Sequence, residues 1–240
     1  MGRNVLIIGA SGDIGTAIAK QLAEEGYQLI LHYYQNKQAM EDNWANLEAE
    51  SILMDIQADL SNTKGISHLI SQAVFPVDAI IFAGGNAHYG LFQDMNETLM
   101  DRMLTLHVKA PWMITKHLLP SMIQHKQGRI IFITSVWGEV GAGNEVVYSS
   151  VKGAQNSFVK ALSKETAPSG VAVNAVSPGF IDTKMNQQLL REEKEKIIHD
   201  IPANRAGTSD DIAHTVSFLM SKQSDYIHGE IIHVSGGWRS

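Results

Sequence analysis

Tyr148 and Lys152 stand four residues apart, the spacing that puts two side chains on one face of a helix. A phenol titrates at about 10, so alone it is a poor acid or base at neutral pH. An ammonium a few ångströms away favours the phenolate and pulls that value down. A tyrosine so placed can donate a proton to a carbonyl oxygen while a hydride reaches the carbon from the other side. Tyr-x-x-x-Lys is frequent by chance, and a surface pair would read the same way. Ser135, thirteen residues before Tyr148, adds a hydroxyl that could hold the substrate oxygen. It ends the apolar run Ile130–Thr134 and therefore falls at the carboxyl edge of a sheet, where open α/β folds bind ligands.

A second constellation lies at the start of the chain. The apolar run Val5–Ile8 leads into Gly9-Ala10-Ser11-Gly12-Asp13-Ile14-Gly15, and helical spacing follows at Ile14, Ala17, Ile18 and Leu22. Glycines permit a tight turn and let a pyrophosphate approach the backbone, while the helix start supplies free N–H groups. A plain glycine-rich turn is the alternative, but the strand-to-helix context favours a dinucleotide. Asp59, before Leu60, offers a carboxylate either to an adenine amino group or to a helix start. His32, Tyr33, Tyr34, Gln35 and Asn36 follow the run Leu29–Leu31. None is the acidic residue that would take a ribose 2′-hydroxyl and repel a 2′-phosphate, which favours NADP(H) over NAD(H). Lys37 is a candidate phosphate partner.

These residues need a frame. Short apolar runs at Val5–Ile8, Leu29–Leu31, Ile52–Ile56, Ala79–Phe82, Ile130–Thr134, Val171–Val176 and Ile231–Val234 read as strands. Helical patterns lie between them at 14–25, 37–49, 63–74, 97–106, 109–126, 147–167 and 209–221, with Pro111 tolerable in a first turn and Thr208 to Asp210 as capping candidates. The alternation predicts an α/β fold, a parallel sheet with helices on both faces. With no linker or repeat, one domain over 1–240 is expected. The segment 183–206 breaks the rhythm and carries the charged run 191–196. It reads as a solvated helix or as a flap over the site.

Composition removes other classes. Formal charge is −6, so nothing favours nucleic acid. With no cysteine there is no disulfide, thiolate nucleophile or cysteine metal site, and no metal is expected. The first apolar run is too short for a secretory or membrane segment, so a cytoplasmic protein that engages no membrane is expected.

Taken together, GASGDIG at 9–15, Asp59-Leu60, FAGG at 82–85, Ser135, Tyr148 with Lys152, NAVSPGFIDT at 174–183 and HGEIIHVSGGW at 228–238 resemble the short-chain dehydrogenase/reductase family. The resemblance runs nearly end to end, and the order and spacing are specific. It implies a single Rossmann-type, doubly wound sheet, an NAD(P) cofactor and a homotetramer or homodimer. It implies that Ser135 orients a ketone, that Tyr148 is the acid–base, and that Lys152 also binds the nicotinamide ribose. By the same resemblance Ala83, Gly84, Gly85, Pro178, Gly179, Ile181 and Thr183 border the cofactor.

Three departures stand out. Asp13 replaces a customary glycine, Phe82-Ala83-Gly84-Gly85 replaces Asn-Asn-Ala-Gly, and His107 stands where the family carries an asparagine that holds a relay water. An imidazole both donates and accepts, so His107 is either a relay in its own right or a packed helix residue. The chain also resembles 3-oxoacyl-acyl-carrier-protein reductases. LHVKAP at 106–111, Trp137-Gly138 and EVVYSSVKGAQNSFVKALSKE at 145–165 bring it nearer to elongation factor P 5-aminopentanone reductases. That implies a protein-borne, aminated ketone. Glu139 and Glu145 would favour a cation, unless both are solvated loop charges, and Ser169 lacks the basic character that suits an acidic carrier. Trp137, His88 and Tyr89 are pocket candidates. Sugar-alcohol or steroid-like dehydrogenation, or cofactor binding without chemistry, would share the same motifs.

Overall fold

The computed structural model describes residues 4–35, 44, 49–187 and 189–238. Strands β1 (Asn4–Ile8), β2 (Gln28–Tyr33), β3 (Ile52–Gln57), β4 (Ala79–Phe82), β5 (Gly128–Ile133), β6 (Val171–Pro178) and β7 (Ile231–Val234) form one sheet in the order β3-β2-β1-β4-β5-β6-β7. Every pairing is parallel, with Val5 facing Leu29 on one side and Ala79 on the other. The order reverses beside β1, so β1 and β4 diverge above their carboxyl ends and leave a crevice there.

Continuous apolar strands result because both faces are covered. Val5 and Ile7 join one cluster, with Ile18 and Leu22 of α1 (Asp13–Glu24) and Ile212, Val216 and Leu219 of α8 (Ser209–Met220). Leu6 and Ile8 join the other. There they meet α2 (Thr63–Gln72), α4 (Ala110–His125) and α6 (Val146–Thr166) through Ile66, Ile114 and Val159. Successive strand side chains thus serve opposite layers.

Helix starts follow local chemistry. Asn62 accepts from Gly65 N at 2.9 Å to open α2, and Asn96 accepts from Thr98 N at 2.8 Å to open α3 (Glu97–Leu104). Thr208 and Asp211 bond reciprocally across the first turn of α8. Two helices were expected over 97–106 and 109–126. Instead α3 runs into α4 through a π-helical turn, Thr105–Lys109, with no break in the chain direction. The charged run 191–196 forms exposed helix α7 (Arg191–Asp200), with Arg191 paired to Glu195 at 2.7 Å. A short helix, α5 (Trp137–Val140), follows β5. The helix expected over 37–49 lies outside the described residues save for buried Trp44 and the 3-10 turn beginning at Ala49. Among the described residues no helix is long and apolar enough to cross a membrane.

Candidate active site

Backbone geometry shapes the turn after β1. Gly9 has φ +82°, and a Cβ there would lie 2.3 Å from Gly84 Cα. A Cβ on Gly15 would lie 2.2 Å from Gly9 O, so both positions require glycine. α1 begins at Asp13 with no side-chain cap from Gly12, leaving its first N–H groups for an anion. Ser11 sits in the turn, and Ile14 packs onto the core below it. Asp13 does not face the crevice alone. Its Oδ2 accepts from Lys184 N at 2.6 Å, and Lys184 Nζ lies 3.9 Å from Oδ1, so the carboxylate ties the 183–186 turn across the cradle.

The turn is buttressed by a residue that sequence reasoning passed over. His32, at the end of β2, accepts from Gly9 N at its Nδ1 (3.1 Å) and donates from Nε2 to Ala58 O (3.0 Å). Its own carbonyl accepts from Ala10 N at 2.9 Å. Burial lowers the imidazole to about 4, only partly opposed by the Ala58 bond, so the ring stays neutral. The available signal was a polar residue within a buried apolar strand, which has to find partners.

Beyond β2, Tyr34 is exposed, while Asn36 and Lys37 lie outside the described residues. Asp59 accepts from Ser61 N at 2.9 Å; Asn62, not Asp59, caps α2. Burial raises the Asp59 carboxyl, but the Ser61 bonds and the charge of Arg102 outweigh it and keep it ionised. The Leu60 side chain points into the core, as does that of Ile181. Contacts from these two to a ligand would have to come from the main chain. Ala83 N donates to Ile8 O at 2.9 Å, which brings Gly84 against Gly9 and Gly85 against His107. Pro178 ends β6, Gly179 N bonds Val234 O at 3.0 Å, and Thr183 leads into the 184–186 turn.

The catalytic candidates converge between β5, the π turn and α6. The Ser135 hydroxyl lies near enough to the Tyr148 phenol to favour its ionised form, and it accepts from Trp137 N at 3.2 Å. Lys152 Nζ donates to Ile133 O at 2.8 Å and lies 5.6 Å from the Tyr148 ring centre. The His107 ring stands edge-on to Tyr148, centroids 5.8 Å apart. Its Nε2 lies 2.9 Å from Asn86 O and 3.4 Å from Asn86 N, and the shorter contact favours a proton on that nitrogen. Burial and then the charge of Lys152 depress His107 to about 3, so this ring too is neutral.

The lysine was expected to pull the phenol toward neutrality. Instead burial pushes Tyr148 well above its ordinary value, and the charge of Glu145 adds to the rise. The Ser135 hydroxyl opposes it without cancelling it. Burial also brings Lys152 down to about 7, which removes much of its positive charge at neutral pH. The phenol therefore keeps its proton, the form a donor needs.

The mouth of the site is aromatic. Trp137 meets Trp238 edge-on at 5.1 Å, and exposed Tyr89 accepts from Asn144 Nδ2 at 3.0 Å. Glu139 is paired with His233. Glu145 is half-buried at the start of α6, and burial raises its carboxyl. The two acidic residues thus differ, one bonded to a histidine and one held near the phenol.

The glycine cradle and open helix start fit a dinucleotide, with Lys152 and Tyr148 at the same crevice. Residues 9–239 match the family model described as Enoyl-(Acyl carrier protein) reductase. The chain is 46% identical over 240 residues to an uncharacterized oxidoreductase, YmfI, of Bacillus subtilis (strain 168), covering 99% of each. It is 34% identical over 241 residues to the 3-oxoacyl-[acyl-carrier-protein] reductase FabG of Staphylococcus aureus (strain Mu50), covering 99% of this chain and 98% of that one. A short-chain dehydrogenase/reductase from Serratia marcescens superposes with TM-score 0.91 at 26% identity, covering 100% and 99%. ElxO with NADP bound superposes with TM-score 0.88 at 25% identity, covering 99% and 98%. This chain belongs to the short-chain dehydrogenase/reductase family and is an NAD(P)-dependent oxidoreductase.

Proposed function

We propose that this enzyme reduces a ketone to an alcohol with NADPH. The observation that carries the reading is the convergence of Ser135, Tyr148 and Lys152 at the carboxyl ends of β5 and β6. When bound, the reduced nicotinamide supplies the hydride. Gly9, Ser11, Gly12, Asp13, Ile14 and Gly15 hold the pyrophosphate, and Asp59, Leu60, Ala83, Gly84 and Gly85 line the adenosine side. Pro178, Gly179, Ile181 and Thr183 flank the nicotinamide end and Tyr34 the adenosine ribose, to which the sequence adds Asn36 as a candidate. Ser135 holds the ketone oxygen, and Tyr148, kept protonated by burial, gives its proton to that oxygen as the carbon is reduced. Lys152 holds the nicotinamide ribose and steadies the phenolate left behind, and His107 joins the path that reprotonates it. The absence of an acidic residue among Tyr33, Tyr34 and Gln35 supports a 2′-phosphate and hence NADPH.

The substrate we assign is the 5-aminopentanone group on elongation factor P. Glu145 supports it, since a half-buried carboxylate beside the phenol suits a cationic amine and repels an acidic carrier arm. The competing reading is 3-oxoacyl-acyl-carrier-protein reduction, favoured by the FabG relatives. NADPH oxidation measured with modified elongation factor P and with acetoacetyl carrier protein separates the two. Tyr148→Phe should reduce turnover by about a thousandfold or more and leave NADPH affinity nearly unchanged. Normal turnover in that variant, or equal efficiency with NADH and NADPH, would contradict the assignment. NADPH binding with no turnover on any ketone would mark a cofactor-binding regulator instead.

A further inference from the structure

The geometry points to Gln155 as a positioning residue: it holds the π turn that presents His107 to Tyr148. Pro111 lies at the root of the turn. In a regular helix the N–H of residue 111 would bond the carbonyl of residue 107, four positions back. Proline has no N–H, and its ring crowds that carbonyl. The helix responds by widening over Thr105–Lys109, with Ala110 N–H bonding back to Thr105 O, five residues away. The His107 carbonyl is left without its ordinary partner inside the protein, where an unpaired group costs about 1–3 kcal/mol. Gln155, on the neighbouring helix α6, supplies the donor: its Nε2 lies 2.7 Å from His107 O.

This bond has a consequence for the site. Gln155 sits three residues after Lys152 on the same helix, and both are buried, at 4% exposure each. With its carbonyl capped by the carboxamide, His107 offers its imidazole to the site instead. The ring is fixed at Nε2 by Asn86 O and lies against Gly85, where a Cβ would stand 2.5 Å from Cε1. Nδ1 is buried without a hydrogen-bond partner among the described residues, on a ring that stands edge-on to Tyr148, and with the proton on Nε2 it is free to accept. The Gln155 Oε1 is likewise buried and unpartnered. The side chain lines a small cavity with Phe82, Leu106, Pro111 and Ile114, otherwise apolar, so packing alone would favour leucine or methionine there. A carboxamide kept in that setting is explained by the bond its nitrogen makes.

Gln155 touches neither ketone nor cofactor in this reading, and its effect passes through His107. The reading rests on Tyr148 and Lys152 being the reducing pair, so the test has one arm that needs no activity. In the wild-type protein the Gln155 side-chain amide protons should exchange slowly, and the His107 ring, identified by its loss in His107→Asn, should show the Nε2–H tautomer unchanged from pH 5 to 9. Gln155→Met, close in shape, should abolish that fixed ring signal. It should also lower kcat about tenfold and shift its pH profile, with KM and NADPH affinity nearly constant. Gln155→Leu serves as the second variant should methionine fold poorly. His107→Asn, with whatever turnover it keeps as the reference, removes the imidazole, and in that background Gln155→Met should cost under about twofold. Fast amide exchange in the wild type, an unchanged His107 signal in the variants, or equal losses in both backgrounds would overturn the assignment. Failure of the wild type to reduce any ketone would remove the reductase reading while the exchange and tautomer measurements still decided the role of Gln155.

Discussion

At the scale of single residues, the site works through charges that burial has displaced. A lysine that is 4% exposed is stabilised in its neutral form, and Lys152 falls from 10.5 to about 7. Its ammonium is therefore present below about pH 7 and lost as pH rises through that value. Ketone reduction that relies on the ammonium should decline above neutrality, which a kcat profile from pH 5.5 to 9 would read. The same displacement costs stability. Between pH 7 and 10.5 the unfolded chain binds the lysine proton and the folded chain does not, so wild-type stability rises with pH across that window. Lys152→Met should abolish turnover yet melt higher than the wild type at pH 6, with the gap closing toward pH 10. A gap that stays constant with pH would show that Lys152 is not held neutral by the fold. Tyr148 and Lys152 were legible because their chemistry needs only helical spacing. The direction of the tyrosine shift was not, because it depends on how deeply tertiary packing encloses the phenol.

At the scale of elements, the cradle depends on how β1 and β2 are joined. His32 is a clamp with a bond on each side: Gly9 N on β1's turn and Ala58 O beyond β3. His32→Ala would leave Gly9 N without its partner and loosen the turn that holds the pyrophosphate. NADPH affinity should fall about tenfold while Ser135, Tyr148 and Lys152 keep their arrangement. Calorimetric titration would measure this, and unaltered affinity would refute it. The clamp also needs a neutral ring. His32 titrates at 6.5 when unfolded and about 4 when folded, so its contribution is whole above 6.5 and lost as pH falls toward 4. Sequence periodicity located β1, α1, α6 and the capped start of α8 closely, since each follows from local pattern. It missed the continuity of α3 with α4, because Pro111 read as a helix start. Pro111, lacking an N–H, makes the helix swell, and Gln155, on a helix far along the chain, takes the His107 carbonyl so that the helix need not end there. The clamp role of His32 was hidden for a similar reason: strand register, not composition, decides which backbone groups it meets.

At the scale of the whole molecule, the two helical layers are not finished alike. On α3 and α4, Leu104 is 53% exposed and Trp112 48%, and Trp112 packs against Phe158 of α6 at 6.2 Å. Val146, at the start of α6, is also exposed. These large apolar groups lie on the face opposite the sheet, on the helices that carry His107, Tyr148 and Lys152. Leaving them in water forgoes about 25 cal/mol for each Å² that could be buried. A homotetramer or homodimer, which the family resemblance implies, would cover them. Pairing through this face would brace α6 from behind and hold the phenol and ammonium in register with Ser135. Trp112→Glu should therefore lower the assembled mass measured by light scattering and reduce kcat, with each protomer still folded by circular dichroism. A wild type that is monomeric at micromolar concentration, or a variant of undiminished mass, would show that these side chains serve no assembly. A smaller assembly with full activity would separate the two claims, keeping the interface and removing its support of the catalytic helix.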